Sequence, residues 1–241
     1  MSKYEEIADI IRTRISDGTY PVDSKLPTQS DLAEEFKVSR MTIKKAIEML
    51  TIEGLVLSKQ GNGTKVLNSS FWDKGDSKFR LNNYNGLSYD MKDDPRQLTS
   101  KIIDFTVEFP DAKIAERLQV DSATPVYKII RLRLLDGKPY ALEHTHMSCD
   151  LVPGLDDEIL LTSVYDYLWH QLGLKFAGSY RHITAEKPDH YDKDYLACKD
   201  DDPILQVEQV VYLENGRPIE YSRSRNRFDT RGYSLLDVMN I

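Results

Sequence analysis

Apolar residues recur at helical spacing three times in the first quarter of the chain. Tyr4, Ile7, Ile10, Ile11 and Ile15 lie on one face of a helix predicted from Tyr4 to Ser16 and ended by Asp17-Gly18. Leu32, Ala33 and Phe36 mark a second, shorter helix, with Thr28 placed to cap it, and Val38 and Ser39 make the turn that follows. Ile43, Ala46, Ile47 and Leu50 form the stripe of a third helix, from Ser39 as N-cap to Glu53, with Gly54 as its stop. From Leu55 to Leu67 the pattern alternates about Gly61-Asn62-Gly63, which predicts a β-hairpin. Helix, helix, turn, helix and hairpin in this order make a winged helix-turn-helix over residues 1–67.

Residues 68–78 are polar apart from Phe71 and Trp72 and are expected to be a linker. From Phe79 the pattern changes. Strands are predicted over Ile102–Val107, Val126–Leu135, Pro139–Met147, Phe176–Glu186, Ile204–Leu213 and Pro218–Arg227. Helices are predicted over Asp111–Leu118, Ser163–Leu172 and Tyr191–Cys198. Asp136-Gly137 and Asn215-Gly216 are strong turn signals. The two halves repeat with an offset of 78 to 79 residues: Leu118 and Pro125 return as Leu196 and Pro203, and Asp136-Gly137-Lys138-Pro139 returns as Asn215-Gly216-Arg217-Pro218. A duplicated strand–helix–hairpin unit implies one antiparallel sheet with pseudo-two-fold symmetry and a ligand crevice between its halves. The fold class is therefore α+β, with residues 79–241 as a second domain.

Composition narrows the function. The 241 residues carry a formal charge of −7, yet residues 1–67 are neutral, with ten cationic and ten anionic side chains. From Phe36 to Leu67 six cations (Lys37, Arg40, Lys44, Lys45, Lys59, Lys65) face only Glu48 and Glu53. The positive charge is concentrated where a duplex would lie, on an otherwise acidic body, so the head alone is expected to touch DNA. Arg40, Thr42, Lys44 and Lys45, at the start of the third helix, suit major-groove reading. Gln60, Gly61, Asn62 and Thr64, at the hairpin tip, suit backbone contact. Cys149 and Cys198 lack metal-ligand spacing and fit a reducing cytosol. His144 and His146 lack further clustered ligands, so no metal or cofactor is expected. Lys3, Glu5, Glu6 and Asp9 interrupt any leader, and no apolar run approaches the roughly 18 residues of a bilayer span; a cytoplasmic protein without membrane contact is expected.

In the second domain, Arg131 and Arg133 share a strand face. A three-residue loop over Asp136–Lys138 would set Arg131 opposite Glu143 and Arg133 opposite Ala141. Ile130, Leu132, Leu134, Tyr140 and Leu142 would then fill the other face, because that register segregates apolar from charged residues. Two guanidiniums and a carboxylate so placed are either a plain surface salt bridge or a pocket for an anion bearing hydroxyls.

The first 67 residues resemble the DNA-binding domain of the GntR family of bacterial transcription regulators, on SDGTYPVDSKLPTQSDLA, VSRMTIKKAIEMLTIEGLV and QGNGTKV. The resemblance implies an operator-binding role for Thr28, Ser30 and Ser39 beside the residues above. Gln29 and Ser30 stand where the family usually has Glu and Arg, and Lys44 where a second Arg is common. Lys lacks the bidentate fork that reads guanine, which puts the base preference in question. Residues from about 79 to 238 resemble the UTRA effector domain of the HutC-type branch, whose fold is that of chorismate lyase. The resemblance rests on PVYKIIRLRLLDGKPYALEHTHM, LVPGL, SVYDYL and PIEYSRSRNRFD. It implies an effector site of Ser88, Arg131, Arg133, Glu143, Ser163, Tyr165 and Glu220, filled by a small anion, a sugar phosphate above all. Asn226 is expected in the site with them, although it stands where the family commonly has Tyr, and Arg227-Phe228-Asp229 stands where it has Arg-Gly-Asp. A homodimeric repressor released by its effector is expected. The same build sensing a non-sugar acid is the alternative. A chorismate-lyase-like enzyme lacks an evident nucleophile–base pair.

Overall fold

The computed structural model describes residues 2–59, 61–68, 86–91 and 94–233. Gln60, Phe71, Trp72 and the linker after Asn68 lie outside the described residues. Those described form two compact units, residues 2–68 and residues 86–233.

The first unit has α1 (Lys3–Ser16), α2 (Gln29–Glu35) and α3 (Arg40–Ile52), then β1 (Val56–Lys59) and β2 (Gly63–Val66). Its core draws on all three predicted stripes: Ile7, Ile11, Leu32, Ile43, Ala46, Ile47 and Leu50, closed by Leu26, Val56 and Val66, while Ile10, expected on the same face of α1, is exposed. The turn between α2 and α3 runs through Lys37 at φ 53. That left-handed position usually goes to glycine, which is why the sequence pattern gave no sign of it. Arg12 donates to both carboxylate oxygens of Glu53, at 2.9 and 2.7 Å, and ties α1 to the end of α3. Lys25 bridges Lys65, so the chain before α2 adds a third edge to the wing.

The second unit contains α4 (Gly86–Asp90), β3 (Leu98–Glu108), α5 (Ala112–Leu118), β4 (Val126–Leu135), β5 (Lys138–Ser148), α6 (Asp157–Leu161), α7 (Val164–Asp166), β6 (Phe176–Glu186), α8 (His190–Tyr195), β7 (Ile204–Leu213) and β8 (Pro218–Arg227). One antiparallel sheet runs in the order β3-β4-β5-β8-β7-β6, so the two repeats meet at β5–β8. Helices α5 and α8 cover one face over Ile130, Leu132, Leu142, Val210 and Tyr221. On the other face Ile129, Met147, Val211 and Ile219 pack with Leu160 of α6 and with Val164 and Leu168 of the α7 region.

Three expectations are corrected. The first hairpin turn has two residues, Asp136 and Gly137, both at positive φ (49° and 75°), with Leu135 paired to Lys138. A bulge at Tyr140 then recovers the anticipated pairs, Arg131 with Glu143 and Arg133 with Ala141. As the extra residue, Tyr140 packs with Leu87, Met91, Leu135 and Ala141 instead of with Leu132 and Leu142. The expected helix Ser163–Leu172 is α-helical only over Val164–Asp166 and continues as a π-turn, Tyr167–Gln171. The repeat holds in detail. A second bulge falls at Ile219, and the second turn is one residue longer, the Leu213 N–H donating across Glu214-Asn215-Gly216 to the Arg217 carbonyl. That extra residue turns an offset of 78 on the first strand of each hairpin into 79 on the second.

Candidate functional site

On the first unit, Arg40, Lys44 and Lys45 are exposed on the opening turns of α3. The Ser39 hydroxyl accepts from the Thr42 N–H at 3.2 Å and lies 2.9 Å from the Thr42 hydroxyl, so both help to build the helix start. Thr28 and Asp31 form a capping box on α2, and Ser30 is exposed beside it. Lys44 lies 3.7 Å from Glu48 in an exposed pair, a contact of small energetic weight. At the wing tip, Gly61 and Gly63 have φ of 77° and 81°, a conformation that requires glycine, and Lys25 donates to Asn62 at 2.9 Å. Thr64 departs from the expectation of an exposed tip contact. It is buried on the inward face of β2, with its hydroxyl 3.2 Å from that of Ser58.

On the second unit, a cavity of about 110 Å³ opens on the face of the sheet opposite α5 and α8. That is several times the space of one water, so the void is sized for a ligand. Strands β4 and β5 bring Arg131, Arg133 and Glu143 into it. Arg131 donates to Glu143 at 2.8 Å and to the Leu160 carbonyl at 2.9 Å. Arg133 donates to the Ser88 hydroxyl of α4 at 2.9 Å and lies 3.5 Å from Glu143. Both arginines are over nine-tenths buried, and the Nε of each has no hydrogen-bond partner among the described residues. Burial pulls the Arg133 pKa below its ordinary value, with Glu143 opposing it. For Glu143 burial acts upward, but Arg133 and Arg131 outweigh it and hold the carboxyl below the usual range.

The far end of the cavity is built differently. Glu220 of β8 accepts from Gln209 at 2.9 Å and from the Ser222 hydroxyl at 2.6 Å, and Arg181 of β6 donates to Gln209 at 3.0 Å. Burial and the neighbouring Glu220 raise the Tyr165 pKa well above its ordinary value, so its hydroxyl stays protonated and donates. Ser163 caps α7 through the Asp166 N–H at 3.3 Å and also lines the cavity. Gly86, at φ 76°, lets α4 lie against Tyr165: a Cβ there would stand 2.9 Å from Tyr165 Cδ2.

Ser88, Arg131, Arg133, Glu143, Ser163, Tyr165 and Glu220 are thus brought together. Asn226 is not. It is fully buried beyond Ser224 and donates to the carbonyls of Leu205 and Ser224 at 3.3 Å, which turns it back onto the strands. Arg181, Gln209, Ser222 and Arg231 line the cavity and escaped the sequence reading. The repeat carried a signal for two of them, since Gln209 is Arg131 displaced by 78 and Ser222 is Glu143 displaced by 79. Arg181 and Arg231 had none. Arg223 borders the cavity, but strand alternation sends its side chain to the other face, where its charge acts on His144 and His146. Four guanidiniums and two carboxylates therefore face the cavity among the described residues.

Comparison with known proteins gives two family matches: "Bacterial regulatory proteins, gntR family" over residues 3–66 and "UTRA domain" over residues 94–230. The HTH-type transcriptional regulator GmuR of Bacillus subtilis is 44% identical over 229 residues, 95% of each chain. The mannosyl-D-glycerate transport/metabolism system repressor MngR of Escherichia coli is 31% identical over 96% of this chain and 93% of its own. The crystal structure of the possible transcriptional regulator YydK from Bacillus subtilis superposes with a TM-score of 0.80 at 26% identity, covering 99% of this chain and 100% of that one. No helix among the described residues is long and apolar enough to cross a membrane.

Proposed function

Because the chain belongs to the GntR family of bacterial regulatory proteins and carries the UTRA domain, it is a DNA-binding transcription regulator and not an enzyme, and we propose that it is a repressor released by a sugar phosphate. The carrying observation is the cavity, with a buried arginine pair whose Nε donors meet no partner among the described residues at one end and Glu220, Ser222 and Tyr165 at the other. Buried polar groups left unpaired cost free energy that a bound anion recovers. Arg131 and Arg133 take the phosphate, with the Ser88 hydroxyl as a further donor, and the acceptors of the far end take hydroxyls. The name of MngR, a repressor in mannosyl-D-glycerate metabolism, supports both the sign and the carbohydrate class.

In this reading residues 1–67 bind the operator in the cytoplasm, residues 68–78 link, and residues 79–241 sense and pair into a homodimer. A symmetric dimer places one α3 on each half-site, with Arg40, Thr42, Lys44 and Lys45 toward bases and phosphates. The effector lowers operator affinity by favouring a dimer whose heads no longer match the half-site spacing.

A thermal-shift screen against sugars and their 6-phosphates, glucose, glucosamine and disaccharide forms included, tests this. At a hundredfold excess over its Kd an effector adds about 2.7 kcal/mol to native stability. A shift with a 6-phosphate and none with its free sugar is expected, and the same compound should release promoter DNA in fluorescence anisotropy. A shift with a carboxylic acid and with no phosphate would replace the sugar phosphate by a non-sugar acid.

A further inference from the structure

The two repeats have diverged in charge at equivalent positions of the cavity face. Arg131, Arg133 and Glu143 in the first correspond to Gln209, Val211 and Ser222 in the second, and Glu220 stands where the first has Ala141. The first half supplies two cations and their balancing acid. The second supplies an amide, an apolar residue and a hydroxyl around one added carboxylate. Among the described residues the donors to that carboxylate are neutral: Gln209 and Ser222 both end on Oε1, and the Tyr165 hydroxyl is the third. Oε2 keeps lone pairs to accept from a ligand hydroxyl. Gln209 is itself fixed from behind, its Oε1 taking the Arg181 Nε–H at 3.0 Å, which turns its NH2 toward Glu220. Neither Gln209 nor Arg181 belongs to the residues that the family resemblance supplies.

Resting on the sugar-phosphate reading of the cavity, we infer that the two repeats divide recognition, the first holding the anion and the second reading the uncharged remainder, with Gln209, oriented by Arg181, as the positioning residue that sets which sugar is accepted. A carboxylate held by one fixed amide and by the hydroxyls of Ser222 and Tyr165 presents its remaining lone pairs in a single direction. Hydroxyls that differ in configuration then meet it or miss it. Without the amide the carboxylate turns, and discrimination falls while the anion end is untouched.

Full-length protein is titrated by calorimetry with inorganic phosphate (by competition where weak), glucose 6-phosphate, its C2 epimer mannose 6-phosphate, and glucosamine 6-phosphate. Gln209→Met is expected to leave phosphate affinity within about twofold. It should weaken the best-bound sugar phosphate about tenfold and compress the ranking of the three, the scale of losing one hydrogen bond to a charged group. Gln209→Asn, too short to span Arg181 and Glu220, should reproduce the pattern if the Met variant is unstable. Unchanged sugar-phosphate affinity and ranking in both variants overturns the inference, and leaves the cavity reading standing if Arg133→Ala still abolishes phosphate binding. Parallel loss of phosphate and sugar-phosphate affinity in both variants also overturns it, as the mark of a purely structural role. Failure of the native protein to bind any of the four removes the cavity reading and the inference with it.

Discussion

His144 lies on the face of β5 turned from the cavity, 7% exposed, edge-on to Tyr191 with ring centroids 5.2 Å apart. Its Nε2 has no hydrogen-bond partner among the described residues. Burial, then the charges of Arg223 and Arg225, hold its pKa at about 4 against an ordinary 6.5. Between those values the unfolded chain binds a proton that the native state does not, so stability rises with pH through the window and is lost as pH falls from 6.5 to 4. The loss is up to about 3 kcal/mol by linkage. Urea unfolding of His144→Gln across that range should give a flatter profile, keeping the part due to His146, whose pKa burial also lowers, and, toward pH 4, the part due to carboxyls such as Glu143 held below their usual range. A profile as steep as the native one would remove His144 from the account. At this scale the sequence was most legible where opposite demands coincide. Arg131 could be paired with Glu143 because one register alone separates charge from apolar surface on both strands. Thr64 and Asn226 were misplaced because a hydroxyl or an amide is as content turned inward onto the backbone as outward to a ligand, and pattern cannot distinguish the two.

Helix α8 shows what an element can rest on when its apolar face is short. Asp192, fully buried, meets Arg225 of β8 at 2.6 Å through Nη2 and 3.0 Å through Nε, and also accepts from the Asp189 N–H in the capping box that starts the helix. Replacing Asp192 leaves the buried Arg225 with Asp189, at 3.8 Å, as its remaining ion-pair partner among the described residues, so Asp192→Asn should cost about 3 kcal/mol. Urea denaturation should show a lower midpoint at an unchanged m-value, with effector affinity intact because α8 packs on the face away from the cavity. A cost near zero would mean that solvent or a neighbouring group replaces the pair. The strands and the longer helices were legible from period alone. Helices α4 and α6 were not: at five residues each they are too short to show a repeat of 3.6. The missing element mattered, since α4 carries Ser88 to Arg133 and depends on Gly86 to lie against Tyr165. The bulges at Tyr140 and Ile219 were equally silent, because an extra residue in a strand changes pairing without changing composition. Only their recurrence 79 residues apart marks them as part of the design.

Over the whole molecule, the net charge of −7 belongs to the part outside residues 1–67, which are themselves neutral. Attraction to DNA therefore depends on a few placed cations and not on a general field, and each should carry a measurable share. Arg40 is exposed at the first position of α3 and has no ion pair among the described residues, so its charge is uncompensated. Arg40→Ala should weaken binding to promoter DNA at least tenfold near physiological salt. It should also reduce the slope of log affinity against log salt by about 0.9, the share of one phosphate contact. The melting shift produced by the effector should be unchanged, because the cavity is lined wholly by residues of the other unit. Equal operator affinity and slope in the variant would place α3 off the duplex and move recognition to the wing. A lost effector shift would mean that the mutation had disturbed more than the reading head. The division of labour anticipated from a neutral, locally basic head on an acidic body stands or falls on both measurements made on the same variant.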